Sequence, residues 1–252
     1  MMTIKMTSAL LAGAMLSGGA AYADVLNYRA DVAPLNFRPA VNPEQNAENG
    51  FDVNGTVLFA FDTISRILSV DVDVSGLLPD VAHAQHIHGP DGDAVPPTLA
   101  QDADGDSYIE LLEGATVYGP ILLSLGSGID EGGNVIFPVA DSNGILDFTM
   151  DYDLSTDDNP FLFGDSTIAD VMPEMLGLRE YVVHGAFVPG DANILVTEGQ
   201  PDGVVGGYNG FLPVGSDDIT AVTTVAAVPV PAAAWMMFAA LGALGATRLR
   251  RT

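Results

Sequence analysis

The sequence has no cysteine among its 252 residues, and it has only eight Lys and Arg and four His. The lack of cysteine excludes disulfides, thiolate metal sites and thiol catalysis. All 33 Asp and Glu lie between residues 24 and 227, where only four Arg accompany them. That region therefore carries a formal charge of −29, which repels nucleic acid and anionic lipid and attracts cations. Nucleic-acid binding is excluded, and the absence of a G-x-S-x-G motif gives no support to a serine hydrolase.

The first 23 residues are typical of a targeting segment. Lys5 precedes an apolar run from Ala9 to Leu16, and the small-residue pattern Ala21-Tyr22-Ala23 follows. This order predicts a secretory signal peptide that signal peptidase cleaves after Ala23. The run is too short to span a bilayer.

The other end combines a long apolar segment with a basic terminus. Residues 225–247 carry no charge and precede Arg248, Arg250 and Arg251. This pattern predicts a transmembrane helix with its arginines on the cytoplasmic side, the alternative being a buried C-terminal helix. With Val228-Pro229-Val230-Pro231-Ala232 before it, the segment 228–252 resembles the VPLPA-type PEP-CTERM sorting signals. The resemblance implies an exosortase-type partner and delivery to the surface of a Gram-negative bacterium. The alternative is a permanent single-span anchor.

Between these ends, apolar and polar residues alternate with a period of two. Leu68–Ser75 and Leu146–Asp153 alternate without a break, as half-buried strands do. Turn-forming Gly, Asn, Asp and Pro separate the predicted strands, which cover 25–32, 53–61, 64–75, 85–88, 120–125, 134–139, 146–153, 180–189 and 194–197. The pattern predicts an all-β fold, an antiparallel Greek-key-like sandwich or barrel. One helix is predicted over 166–176, where Pro173 would interrupt it.

These patterns divide the chain into four parts. They are a signal peptide (1–23), a β domain (24–200), a flexible Gly-rich linker (201–227) and the sorting tail (228–252). Inside the domain, residues 90–114 form a long polar segment rich in Asp, Gly and Pro, and a loop of that length is usually functional or disordered.

Three of the four histidines crowd into residues 83–88. On a strand, His86 and His88 point to the same face, so their imidazoles can chelate one transition-metal ion. The fourth, His184, lies on a later strand that the fold could bring beside them. The alternative is that these rings only bond neighbouring backbone groups.

The histidine segments resemble two known families. His86-Ile87-His88-Gly89-Pro90, followed by Asp91-Gly92, resembles a segment of the CHRD (chordin) domain, a β-sandwich module of exported proteins; the resemblance covers about 49–197. The same H-x-H, with Val182-Val183-His184, is similar to copper/zinc superoxide dismutase. That similarity implies Cu²⁺ or Zn²⁺ ligation by His86, His88 and His184. No histidine lies between His88 and His184, so the bridging histidine of the dismutases has no counterpart.

Residues 102–113 follow the pattern of a calcium loop. An EF-hand loop binds Ca²⁺ through positions 1, 3, 5, 7, 9 and 12, with glycine at position 6. Position 6 is Ser107 here, and position 8 is the apolar Ile109. The six predicted ligands are Asp102, Asp104, Asp106, Tyr108 through its carbonyl, Glu110 and Glu113. The alternative is an unstructured acidic surface loop.

Two functions remain in view. The first is a non-enzymatic, calcium-stabilised CHRD-type module, displayed at the cell surface or in the extracellular matrix, with an unidentified surface partner. The alternative is a copper-binding oxidoreductase of superoxide-dismutase type. Convergence of His184 on His86 and His88 within about 4 Å would favour the alternative.

Overall fold

The computed structural model describes residues 25–90, 92–188 and 207–222. The predicted signal peptide, the predicted strand 194–197 and the predicted C-terminal span lie outside these residues. No helix in the described ranges is long and apolar enough to cross a bilayer.

Most of the regular secondary structure in the described residues is β-strand, with few helices, which confirms the all-β prediction. The twelve strands are β1 (Val25–Ala30), β2 (Ala33–Pro34), β3 (Asn54–Asp62), β4 (Ile67–Ser75), β5 (Gln85–His88), β6 (Ile121–Ser124), β7 (Gly128–Ile129), β8 (Val135–Ile136), β9 (Leu146–Asp153), β10 (Glu180–Val188), β11 (Gly207–Asp218) and β12 (Thr220–Ala221). The helices are α1 (Leu111–Tyr118), α2 (Ile168–Val171) and α3 (Pro173–Leu176), with a 3-10 turn at Ala47–Asn49.

The strands form two antiparallel five-stranded sheets and one small hairpin. The first sheet has the order β12-β1-β3-β4-β9, and the second has the order β2-β11-β10-β5-β6. Strands β7 and β8 pair separately, so only two residues of the predicted strand 134–139 are in a ladder. Apolar residues from both five-stranded sheets belong to one buried core.

Strand β4 shows why the sequence folds in this way. Val70, Val72 and Val74 are fully buried, whereas Asp71 and Asp73 between them are exposed. Because side chains alternate along a strand, one face of the first sheet contributes to the core and the other faces water.

The prediction of a flexible linker over 201–227 is wrong for residues Gly207–Asp218. These residues form β11, which pairs with β10 along most of its length.

The structure also contains one helix that was not predicted and divides another. Helix α1 follows the acidic segment, where Glu110 and Glu113 form a capping box. The helix predicted over 166–176 is two short helices separated at Met172, before Pro173.

The second sheet directs the chemically active residues away from the core. In β10, Tyr181 and Val183 lie in the core. Alternation therefore places Glu180, Val182 and His184 on the opposite face. All three are nonetheless buried, because helix α1 and the loops cover that face.

Candidate metal centre

Adjacent strands of the second sheet bring three predicted ligands together. In the ladder between β5 and β10, His86 lies opposite Val182, and His88 lies opposite Glu180. The pairing of β10 with β11 shifts register on both sides of His184. Such a bulge redirects a side chain out of the regular pleat. Gly185, with φ +112°, provides the backbone conformation that this bulge requires.

One ring nitrogen of each of His86, His88 and His184 lies within 4.8 Å of the other two. All three rings are buried, and Nδ1 of His86 and Nε2 of His88 and His184 have no hydrogen-bond partner. Three nitrogens bound to one ion at 2.0–2.1 Å in tetrahedral or trigonal geometry are about 3.3–3.6 Å apart. Coordination would therefore require the ring nitrogens to approach one another by up to about 1.5 Å.

Backbone carbonyls orient two of the rings. Nδ1 of His88 lies 3.0 Å from the Gly119 carbonyl oxygen, and Nδ1 of His184 lies 2.8 Å from that of Phe211. When Nδ1 donates to a carbonyl, the lone pair is left on Nε2, which is the usual arrangement of metal-binding histidines. His88 and His184 are thus in the tautomer in which the unpartnered Nε2 carries no proton and can coordinate a metal ion.

Burial keeps these imidazoles neutral. Desolvation lowers the pKa of His88 to about 3 and that of His184 to about 4, and it lowers the pKa of His86 well below its ordinary value. The nearby His184 lowers the pKa values of His86 and His88 further, because two imidazolium charges would repel each other. Neutral imidazoles can coordinate a metal ion without first losing a proton.

His83 is not part of the cluster. Its Nδ1 lies 2.9 Å from the carbonyl oxygen of His184, and its Nε2 lies 2.9 Å from that of Leu78. Both partners are acceptors, so the neutral ring donates to one of them at a time. The ring thus contacts the backbone at the bulge and lies outside the group of converging nitrogens.

The structure also brings the predicted calcium ligands together. Carboxylate oxygens of Asp102, Asp104 and Glu113 lie within 4.8 Å of one another, as do those of Asp104, Asp106 and Glu110. The remaining predicted ligand, Tyr108, lies in the same loop, where its backbone N–H donates to Asp106 at 2.7 Å.

The loop backbone follows the calcium-loop pattern more closely than the sequence suggested. Ser107, at the position that usually holds glycine, has φ +77° and so adopts the left-handed conformation that glycine would provide. Ile109 is buried, and both its N–H and its carbonyl bond the side chain of Asn36, at 2.8 and 3.0 Å. Helix α1 begins at Leu111, directly after the fifth predicted ligand.

Repulsion among these carboxylates favours a cation. Burial, together with the charges of Asp104, Asp102 and Glu113, raises the pKa of Asp106 to about 6. Oδ2 of Asp106 is buried without a hydrogen-bond partner. A bound divalent ion would neutralise this repulsion and supply the missing partner.

Comparisons with known proteins add no assignment. No protein-family model matches this chain, and a search of curated proteins finds no match either.

Some residues around the histidines could not be found from the sequence. Tyr118 packs edge-on against His88 with ring centroids 4.6 Å apart, and Phe137 packs edge-on against His86 at 5.4 Å. Gly119 and Phe211 contribute through backbone carbonyls, which any residue possesses. No residue-type signal marks such positions, because their role depends only on where the chain passes.

Proposed function

We propose that this protein is an exported, CHRD-type β-sandwich that binds one copper or zinc ion through His86, His88 and His184. The observation that carries the proposal is the convergence of three buried imidazoles whose free nitrogens have no other partner. Leaving a buried nitrogen unpaired costs about 1–3 kcal/mol. Three buried rings, each with an unpartnered nitrogen and each with a ring nitrogen within 4.8 Å of the other two, are a set of donors that suits a single ion.

Copper is the metal that these residues suit best. Imidazole ligands suit both Cu²⁺ and Zn²⁺, but nitrogen sites generally bind Cu²⁺ more tightly. Three protein ligands leave a position open, which is the arrangement of a reactive metal rather than a closed structural site. Gly119 and Phe211 would fix the rings, and α1 would shield them from water. The ion itself would supply Lewis-acid or redox chemistry.

We propose further that Ca²⁺ binds the loop 102–113 and stabilises this cover. The loop continues directly into α1, whose Tyr118 packs on His88. Ordering of the loop would therefore support one wall of the histidine cluster.

The proposal is tested by titrating the purified protein with Cu²⁺ and recording electron paramagnetic resonance. Hyperfine splitting from several nitrogens is expected, and His86→Ala should lose it. His83→Gln is the matched control, because it removes a nearby imidazole that contributes no free nitrogen. Circular dichroism checks that both variants fold. Equal loss of signal in two folded variants, or no nitrogen splitting in the parent protein, would refute the site.

The ends of the chain complete the proposal. A signal peptide before Asp24 and a sorting tail at 228–252 would export the domain and release it from the inner membrane to the cell surface or matrix. There, a metal-binding module without disulfides would rely on its core and its bound ions for stability. A dismutase of the copper/zinc type is the alternative, to be tested by the superoxide-consuming activity of the copper-loaded protein.

A further inference from the structure

A cavity of about 580 Å³ opens beside the histidine cluster. His86 and His184 both line it, so an ion held by these residues would lie beside the cavity. Its volume lies within the range of small-molecule sites, roughly 300–1,000 Å³. The cavity is therefore large enough for an organic ligand rather than for a diatomic molecule alone.

The walls of this cavity are apolar and uncharged. Phe137, Phe163 and Phe211 line it together with Leu162 and other aliphatic side chains. Among the described residues, those that line it include no Asp, Glu, Lys or Arg, although Asp and Glu are abundant elsewhere in the domain. Apart from the two histidines, Ser124 and Asn134 provide the polar side chains.

This lining discriminates between classes of ligand. A charged group that reaches the apolar walls, away from the ion, would lose its hydration without gaining an ion pair. A negative group there would in addition be repelled by the acidic domain, and no lysine or arginine of the described lining attracts it. A neutral ligand with an apolar or aromatic body meets neither penalty and gains from burial.

We infer that the metal site accepts a neutral organic ligand, in which one donor atom coordinates the ion and an apolar or aromatic group fills the cavity. This inference rests on the proposed function, because it requires the ion at His86, His88 and His184. It also goes beyond that function, because it names the class of molecule that the site would take.

The test compares three probes on the copper-loaded protein: imidazole, 4-phenylimidazole and azide. Each binding curve is followed by the visible and paramagnetic resonance spectra of the copper. The two imidazoles present the same type of donor nitrogen, so a difference in affinity reports the phenyl group. Burial of that ring should make 4-phenylimidazole bind about tenfold more tightly than imidazole, or better.

A charge placed in the cavity wall provides the matched variant. Phe163 is 52% exposed and lines the cavity, so Phe163→Glu should fold and should abolish the advantage of the phenyl group. Phe187 is 41% exposed and is not among the lining residues, so Phe187→Glu should retain it.

Two results would overturn the inference. The first is an intact copper signal with equal affinities for the two imidazoles, or with azide bound most tightly; this would leave the proposed metal site standing. The second is the absence of the nitrogen-split copper signal, which would remove the proposed function and the inference together.

Discussion

The calcium loop offers a prediction whose size follows from its geometry. The Glu113 carboxylate accepts hydrogen bonds from the backbone of Ala103 at 2.5 Å and of Glu110 at 3.1 Å, and it lies beside Asp102 and Asp104. Glu113→Gln keeps one oxygen acceptor but removes the charge. Without calcium the variant should therefore be nearly as stable as the parent, since a weaker capping box is offset by less repulsion.

With calcium the two proteins should separate. At a hundredfold excess over Kd, binding stabilises the parent by about 2.7 kcal/mol. For a domain of this size, that gain raises the Tm by about 5–10 °C. A hundredfold loss of affinity in Glu113→Gln would leave about 0.4 kcal/mol at the same calcium concentration, or about 1 °C.

Differential scanning calorimetry in calcium and in chelator measures both shifts. Glu131→Gln is the matched control, because Glu131 is an exposed carboxylate outside the loop and its variant should keep the full calcium shift. A parent Tm that does not respond to Ca²⁺ would refute the loop as a binding site. A full shift in Glu113→Gln would refute the role of that residue.

Three further predictions concern the bulge, a buried acid and the chain ends. Gly185→Ala should lower the free energy of unfolding, measured by urea denaturation, by about 2–4 kcal/mol, because Gly185 has a positive φ and because the new Cβ would collide with the Tyr208 hydroxyl. The control Gly92→Ala should change this free energy little, because no atom lies near the position of its Cβ. Burial raises the pKa of Glu180 from 4.5 to about 8, so the fold retains a proton that the unfolded chain releases. The contribution of Glu180 to stability should therefore fall by about 1–3 kcal/mol from pH 5 to pH 8, opposite in sign to the contribution of the buried neutral histidines. Glu180→Gln should remove this contribution, so its stability relative to the parent should increase with pH by that amount; a pH-independent difference between variant and parent would refute the role of Glu180. Intact-mass measurement on protein from its native host should show a chain that starts at Asp24 and ends near residues 228–232, whereas a membrane-bound species that retains residues 235–252 would indicate a plain anchor.

The sequence determined the features that depend on neighbouring residues. Strict alternation placed β4 and β9 correctly, because one face of each strand is buried and the other is exposed. The same periodicity placed His86 and His88 on one face. The ligand spacing in 102–113 predicted the acidic cluster, because a loop of that length must close on itself to bring its carboxylates together.

Strand β11 was misassigned as a linker for a physical reason. Residues 212–216 are buried in succession, because this strand lies inside the second sheet between β2 and β10. A strand covered on both faces shows no polar–apolar alternation. Its Gly and Pro residues added the composition of a loop, so local pattern alone favoured the wrong prediction.

Only the tertiary structure decided what surrounds the histidines. The approach of His184 to His86 and His88 required the pairing of β5 with β10, two strands that are distant in the chain. The carbonyls that orient the rings come from the segment after α1 and from β11, and the uncharged cavity is assembled from several strands and loops. Such contacts depend on where separate segments meet and on backbone atoms that every residue shares. No local sequence pattern encodes these contacts. The sequence therefore determined which side chains could bind a metal ion, and the fold decided that three of the histidines meet.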